Sequence, residues 1–172
     1  MNEGQDTLSS SAGRDRKLLP ILVAALVAVL VAAVGGTMTD LGPWYQSLEQ
    51  PNWRPPDWAF GTIWTVVLSL VVLSAAAAWR AAPNRGVRDA LLVLFLANGF
   101  LNILWSVLFF AFRRPDWALF EVLFLWASIA VLIAVLWRFA RMAALFLVPY
   151  LLWVSIAGAL NLAIVRLNGP FG

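Results

Sequence analysis

The chain contains no cysteine and no histidine among its 172 residues. These absences exclude disulfides, zinc sites built from Cys and His, thiol nucleophiles and His-based catalytic triads. They also remove the commonest axial ligands of haem iron. No glycine-rich phosphate loop with its lysine is found, so an ATP-driven activity is not expected. The sequence carries no hydrolase, kinase or metalloenzyme signature, and it predicts no metal site and no required cofactor.

Charge is scarce as well. Charged residues make up 12% of the chain and hydrophobic residues 62%. An ordinary soluble domain is about half apolar and about a quarter charged. A chain of this size cannot bury such an apolar excess, so its expected surroundings are a lipid bilayer. The formal net charge of +3 reflects the loops of a membrane protein and does not indicate nucleic-acid binding.

Long uncharged apolar runs account for the excess. A spanning helix needs about 20 such residues, because about 30 Å of hydrocarbon is crossed at about 1.5 Å per residue. Residues 1–17 are predicted to be a disordered polar tail, and residues 18–168 a membrane domain. The fold predicted is an all-α bundle of five transmembrane helices over residues 18–38, 58–79, 90–112, 117–137 and 142–165.

The first run also has the basic flank of a signal peptide. It is longer than the usual apolar core of about 7–15 residues in such peptides, which favours a retained helix. Lysine and arginine number eight on the side of the N-terminal tail and four on the opposite side. The positive-inside rule then predicts a cytoplasmic N-terminus and an external first loop, in a multi-pass protein of the cell membrane.

Tryptophan is concentrated in the first loop and at the entry to the second span. The stretch "WYQSLEQPNWRPPDWAFGTIW", residues 44–64, holds four of the chain's ten tryptophans. Indoles near a membrane interface can be simple anchors. Proline, however, fixes its own backbone and restricts its predecessor, so this loop is stiff and is predicted to act as a lid. The prolines concerned are Pro43, Pro51, Pro55 and Pro56.

Other polar and aromatic residues lie inside the predicted spans, among them Trp64, Trp105, Trp126 and Trp153. Asn98 and Asn102 are four apart and share a helix face. Such amides either bond to neighbouring helices or, with indole walls, form a pocket for a flat apolar ligand. Glu121 is the one ionisable residue within the last four spans. It is either an intramembrane functional group or an interfacial acid favoured by the helix dipole.

The first-loop stretch, "LNILWSVLFF" in the third span and "AALFLVPYLLWVSIAGALNLAIVRLN" in the fifth resemble the three strong motifs of the TspO/MBR family. This family comprises the tryptophan-rich sensory proteins related to mitochondrial translocator protein. The resemblance covers residues 18–168. It implies a five-helix bundle, commonly a homodimer, with a ligand cavity under the first loop. Family members bind porphyrins such as protoporphyrin IX, and some bacterial members degrade porphyrin in light.

Carried onto this chain, the resemblance implies a porphyrin site built from three parts. The indole walls are Trp64 and Trp153, which are also candidate electron donors to a photoexcited macrocycle. The polar wall and floor are Asn98, Asn102, the neighbouring Trp105, and Ala157. The lid residues are Tyr45, Trp53 and Pro55, and Arg54 is the one basic residue in the lid that could pair with ligand carboxylates.

Several positions depart from the family pattern. Gln50 replaces a basic residue before Pro51, and Leu68 replaces a tyrosine in the second span. The sterol-recognition pattern places a tyrosine shortly before a basic residue. Here Leu162 stands in that place before Arg166, so sterol binding is not expected.

Three functions are compatible with these features. The first is a ligand-binding sensor or regulator, with light-dependent turnover of porphyrin as an added activity. The second is a transporter of porphyrins or other small apolar molecules. A transporter of the alternating-access type would show paired broken helices, and only Pro149 interrupts a span. The third, a purely structural membrane protein, leaves the stiff aromatic loop without a role.

Overall fold

The structure, a computed structural model, describes residues 42–171 together with Ala33. A short helix α1 (Pro43–Ser47) lies in the first loop and precedes four long helices. These are α2 (Asp57–Ala81), α3 (Arg85–Ser106), α4 (Pro115–Trp137) and α5 (Arg141–Asn168), and α3 continues into a π-helical turn, Val107–Ala111. Each of the four is long and apolar enough to cross a membrane. The prediction of an all-helical membrane bundle is confirmed.

The predicted second to fifth spans correspond to α2 to α5. The predicted first span, residues 18–38, and the tail before it lie outside the described residues, apart from Ala33. The helices begin and end within a few residues of the predicted bounds, except that α3 begins at Arg85 rather than residue 90. The reason is a local cap, because the Asn84 side chain accepts a hydrogen bond from the Val87 N–H at 3.0 Å and satisfies a free helix donor.

Proline sets several of the other helix boundaries. Pro56 precedes α2 in an extended conformation, and Pro115 is the first residue of α4. Proline is favoured at the first helical position because the N–H that it lacks would be unpaired there. Ala82, between α2 and Pro83, is extended, as expected for a residue before proline. Pro149 lies within α5, which nevertheless continues to Asn168.

The bundle is organised around α5. Helix α5 packs along both α4 and α2, α4 packs along α3, and α2 and α3 make little direct contact. Leucine and isoleucine side chains fill the centre, with Ile129, Leu136 and Leu147 fully buried. The buried Ser74 hydroxyl also donates to the Ala143 carbonyl at 2.8 Å, joining α2 to the start of α5. The first-loop end of the bundle is therefore formed by the start of α2, the end of α3, the start of α4 and the end of α5.

Candidate functional site

Polar side chains from three helices meet in the bundle interior. Asn102, on α3, donates to the Tyr150 hydroxyl of α5 at 3.0 Å. Asn98, one turn away, donates to the Ser128 hydroxyl of α4 at 2.8 Å. Asn98, Asn102 and Tyr150 are all buried. The predicted polar stripe thus faces inward, and its amide N–H groups are used by neighbouring helices.

Two indoles adjoin this polar group. The Trp64 ring of α2 lies 6.2 Å from the Tyr150 ring and 6.4 Å from the Trp153 ring, edge-on to both. Such edge-to-face pairs contribute about 0.5–1.5 kcal/mol beyond the area they bury. The structure therefore brings together four of the residues singled out in the sequence, joined by Tyr150. We call Trp64, Asn98, Asn102, Tyr150 and Trp153 the amide–aromatic cluster.

Glu121 of α4 lies inside the bundle and not at its surface. Only 6% of the residue is exposed, and it is the seventh residue of α4. Neither carboxyl oxygen has a hydrogen-bond partner among the described residues, and the same holds for the Trp153 indole N–H. Buried polar groups are almost always paired. These two unpaired side chains therefore stand out.

A second group of aromatic rings closes the first-loop end of the bundle. The Tyr45 ring lies 5.7 Å from Phe110 and 6.3 Å from Phe109, and Trp105 stacks on Phe109 at 5.2 Å. Trp44 meets Phe109 edge-on at 6.1 Å. These five residues, Trp44, Tyr45, Trp105, Phe109 and Phe110, are called the aromatic cap. Trp105 also packs against the main core, so it joins the cap to the bundle interior.

The π-helical turn at the end of α3 makes this cap possible. It is closed by the Phe112 N–H, which donates to the Val107 carbonyl at 2.9 Å. Phe109 and Phe110, both within this turn, are buried. Such π turns are frequent at functional sites.

The first loop is fastened to the far end of the chain. The Asn168 amide at the end of α5 donates to the Glu49 carbonyl at 3.0 Å and accepts from the Glu49 N–H at 2.7 Å. Asn168 also donates to the Ile164 carbonyl of its own helix at 2.9 Å. These two hydrogen bonds hold the backbone of Glu49 in the first loop at the end of α5.

The charged residues of this end are engaged locally. The Arg54 guanidinium pairs with Asp57 and lies 5.2 Å above the Tyr45 ring. Arg114 pairs with Asp116, and this hydrogen bond raises the pKa of Arg114 above its ordinary value. Arg113, which is exposed, lies 5.7 Å above the Trp44 ring. A ligand carboxylate would reach Arg54 in competition with Asp57.

The remaining predicted site residues belong to neither the amide–aromatic cluster nor the aromatic cap. Trp53 is 53% exposed and has no described ring contact with the cap. Pro55 is half-buried in the loop, and Ala157 is half-buried on α5. Trp126, which lies within α4 as the predicted span implies, is 42% exposed, and its indole N–H donates to the Ser155 hydroxyl at 2.9 Å. It therefore lies at the outer edge of the contact between α4 and α5.

Sequence reasoning gave Tyr150, Asn161 and Asn168 no place in the site. Tyr150 is flanked by apolar residues, so only its partner on another helix reveals its role. Asn161 is fully buried, and its amide bonds to the Pro115 carbonyl at 3.0 Å and the Leu119 N–H at 3.1 Å. The asparagine within an apolar span does indicate a contact between helices, because buried amides need hydrogen-bond partners. The sequence does not identify those partners.

Taken together, these features define a multi-pass helical membrane protein with an aromatic cap over a polar, indole-lined interior. The TspO/MBR family model matches residues 22–167. Protein CrtK of Rhodobacter capsulatus is 31% identical, over 87% of this chain and 94% of the relative. The tryptophan-rich protein TspO of Chlorobaculum tepidum is 34% identical over 86% of this chain and 97% of the relative. The translocator protein of Sus scrofa is 32% identical over 88% of this chain and 94% of the relative. The chain belongs to the TspO/MBR family.

Proposed function

We propose that this TspO-type protein is a sensory or regulatory protein that binds a metal-free tetrapyrrole such as protoporphyrin IX between the aromatic cap and the amide–aromatic cluster. The observation that supports this most directly is the meeting of Trp64 and Trp153 beside buried amides. A tetrapyrrole is broad, planar and mostly apolar, so indole faces and edges suit its surface. The first loop, held by Asn168, would serve as the lid.

The carboxylates of such a ligand would remain at the wet edge of the site. Arg54 is the proposed partner, because it lies in the lid directly above Tyr45. Since its guanidinium is already paired with Asp57, ligand binding would exchange one carboxylate for another. The net gain from this contact is accordingly small, as for most exposed ion pairs.

Light-dependent breakdown of the bound porphyrin is a second part of the proposal. Trp64 or Trp153 would donate one electron to the excited macrocycle, leaving an indole radical cation and a macrocycle radical anion. Dissolved oxygen would take this electron from the macrocycle and become superoxide, which is the oxidant that would attack the ring; the indole radical cation is the other product of the step. The 6.4 Å separation of the two rings would let the positive charge pass from one indole to the other.

Intrinsic tryptophan fluorescence in detergent tests the binding step. Titration with protoporphyrin IX in the dark should quench the emission saturably at micromolar ligand. The Trp64→Ala, Trp153→Ala double variant should lose this saturable component, because both indole walls are gone. Linear quenching that is identical in wild type and variant would mean simple partitioning into detergent, which contradicts the proposed site.

Illumination of the bound complex tests the photochemical step. The Trp64→Phe, Trp153→Phe variant keeps two aromatic rings and should still bind, but it should not bleach the porphyrin absorption. A matched control is Trp58→Phe, Trp137→Phe, since both indoles are exposed and lie outside the site. Equal bleaching in all three proteins would show that these indoles are not the electron donors.

A further inference from the structure

Among residues 42–171, Glu121 differs from the buried serines and asparagines of the bundle interior. Asn98, Asn102 and Ser74 each bond to another helix, and Asn161 bonds to the backbone of α4. Glu121 is as buried as these residues, yet both of its oxygens lack a partner among residues 42–171. Within the described part of the chain, the buried amides are used by neighbouring helices and this carboxyl group is not hydrogen-bonded.

The sequence position of Glu121 fixes its level along α4 relative to the amide–aromatic cluster. It lies seven residues before Ser128, hence two turns away on the same face of α4. Ser128 is bonded to Asn98 of the cluster. The next residue, Val122, faces Gly158 of α5, since a Cβ atom added at Gly158 would lie 3.6 Å from a methyl carbon of Val122. Ala118, one turn nearer the first-loop end, belongs to the buried group that includes Tyr45, Phe109 and Phe110 of the cap, so Glu121 lies on α4 between the cap and the level of the cluster.

An unpaired buried carboxyl group is costly. Leaving a polar group of this kind without hydrogen bonds in an apolar interior costs about 1–3 kcal/mol, and more if it is charged. A leucine of similar size would avoid this cost. An ionisable residue inside a membrane span, facing the bundle, is therefore best explained by binding or transport of a polar group. The Trp153 N–H is also unpaired among the described residues.

We infer that Glu121 is the group that recognises the nitrogen centre of a metal-free tetrapyrrole and so makes the site selective against metallated forms. This inference rests on the proposed function. The centre of a metal-free porphyrin carries two N–H donors and two imine acceptors, and a neutral carboxyl group is itself one donor and one acceptor. A metal ion removes both kinds of group from the ring centre at once.

The test compares protoporphyrin IX with its palladium(II) complex. Palladium(II) is square-planar, leaves the ring shape and both propionates unchanged, and takes no axial ligand. Dissociation constants are measured by tryptophan quenching in the dark for wild type, Glu121→Leu and Glu121→Gln. Glu49→Gln is the matched control, since Glu49 is exposed.

Wild type and Glu49→Gln should bind the metal-free ligand about fivefold more tightly, the affinity that one net hydrogen bond contributes. In Glu121→Leu the ratio should fall to about one, and Glu121→Gln should be intermediate. An equal ratio in wild type and Glu121→Leu would overturn the inference while leaving the proposed pocket intact. Failure of both ligands to saturate the wild-type protein would overturn the proposed function and this inference together.

Thermal melting of the ligand-free proteins separates recognition from a structural role. Because Glu121→Leu removes an unpaired buried carboxyl group, its melting temperature should equal or exceed that of the wild type. A lower melting temperature together with an unchanged ligand ratio would identify Glu121 as a residue that stabilises the fold, and the inference would be rejected.

Discussion

Single amides in the interior act as cross-links between helices. Asn98 ties α3 to α4, Asn102 ties α3 to α5, and Asn161 ties α5 to the start of α4. In a bilayer, apolar helices gain little from mutual burial, so packing and interhelical hydrogen bonds fix their arrangement. The amides therefore position the indoles, and the ligand would meet the indoles and Glu121 before it meets an amide N–H.

Replacing Tyr150 with Phe tests this view. The ring would still meet Trp64, but Asn102 would lose its acceptor and become an unpaired buried donor. We expect a loss of about 1–3 kcal/mol in stability, seen as a lower melting temperature in detergent. Tyr45→Phe is the control, because Tyr45 is held by ring contacts and should melt close to wild type. Equal melting temperatures for the two variants would contradict the cross-linking role.

At the scale of secondary-structure elements, the first loop is a fixed part of the bundle end. Tyr45 and Leu48 are buried, and Glu49 is bonded through its backbone to Asn168. Prolines restrict the stretch that follows, so little freedom remains to be lost on docking. A loop held in this way can move as a unit when its few fastenings release.

Asn168→Ala should release the loop, because it removes both hydrogen bonds to Glu49. Hydrogen–deuterium exchange of the peptide spanning residues 44–53 should become faster, while the helices keep their protection. Asn84→Ala is the control, since it removes a helix cap at the opposite end of the bundle and should leave the loop unchanged. Unaltered exchange of the loop in Asn168→Ala would show that the cap alone holds it.

At the scale of the whole molecule, the two ends of the bundle differ. We call the end with the first loop the aromatic end, and the end with the short connections the plain end. The aromatic end carries the loop and the cap, whereas the opposite end has the short connections at residues 82–84 and 138–140. We proposed from the distribution of basic residues that the aromatic end faces outward from the cell membrane. The natural absence of cysteine makes this orientation directly measurable.

Single cysteines introduced at Ser47 and at Ala81 should report opposite sides. Both residues are exposed, Ser47 at the aromatic end and Ala81 at the plain end. A membrane-impermeant maleimide applied to intact cells should label Ser47→Cys, and it should label Ala81→Cys only after the cells are opened. The reverse pattern would show that the aromatic end faces the cytoplasm.

The sequence predicted the helices and much of the cluster because both depend on local patterns. Apolar run length located α2 to α5, and the four-residue spacing of Asn98 and Asn102 placed both on the inner face. Local patterns do not show which residues of different helices contact each other. The burial of Glu121 depends on how α4 is rotated against its neighbours, and the outward position of Trp126 depends on the same rotation. The π turn that buries Phe109 and Phe110 has no marker in the sequence.

The contact between Glu49 and Asn168 joins residues 119 positions apart. During synthesis the first loop emerges long before α5 exists, so its rings can meet α3 first, and the contact with Asn168 forms only after the last span has entered the membrane. Closing so long a stretch of chain is among the slower events of assembly. The end of α5 thus completes the docking site of the loop, and a chain truncated before Asn168 would insert its helices yet hold the loop through the aromatic cap alone.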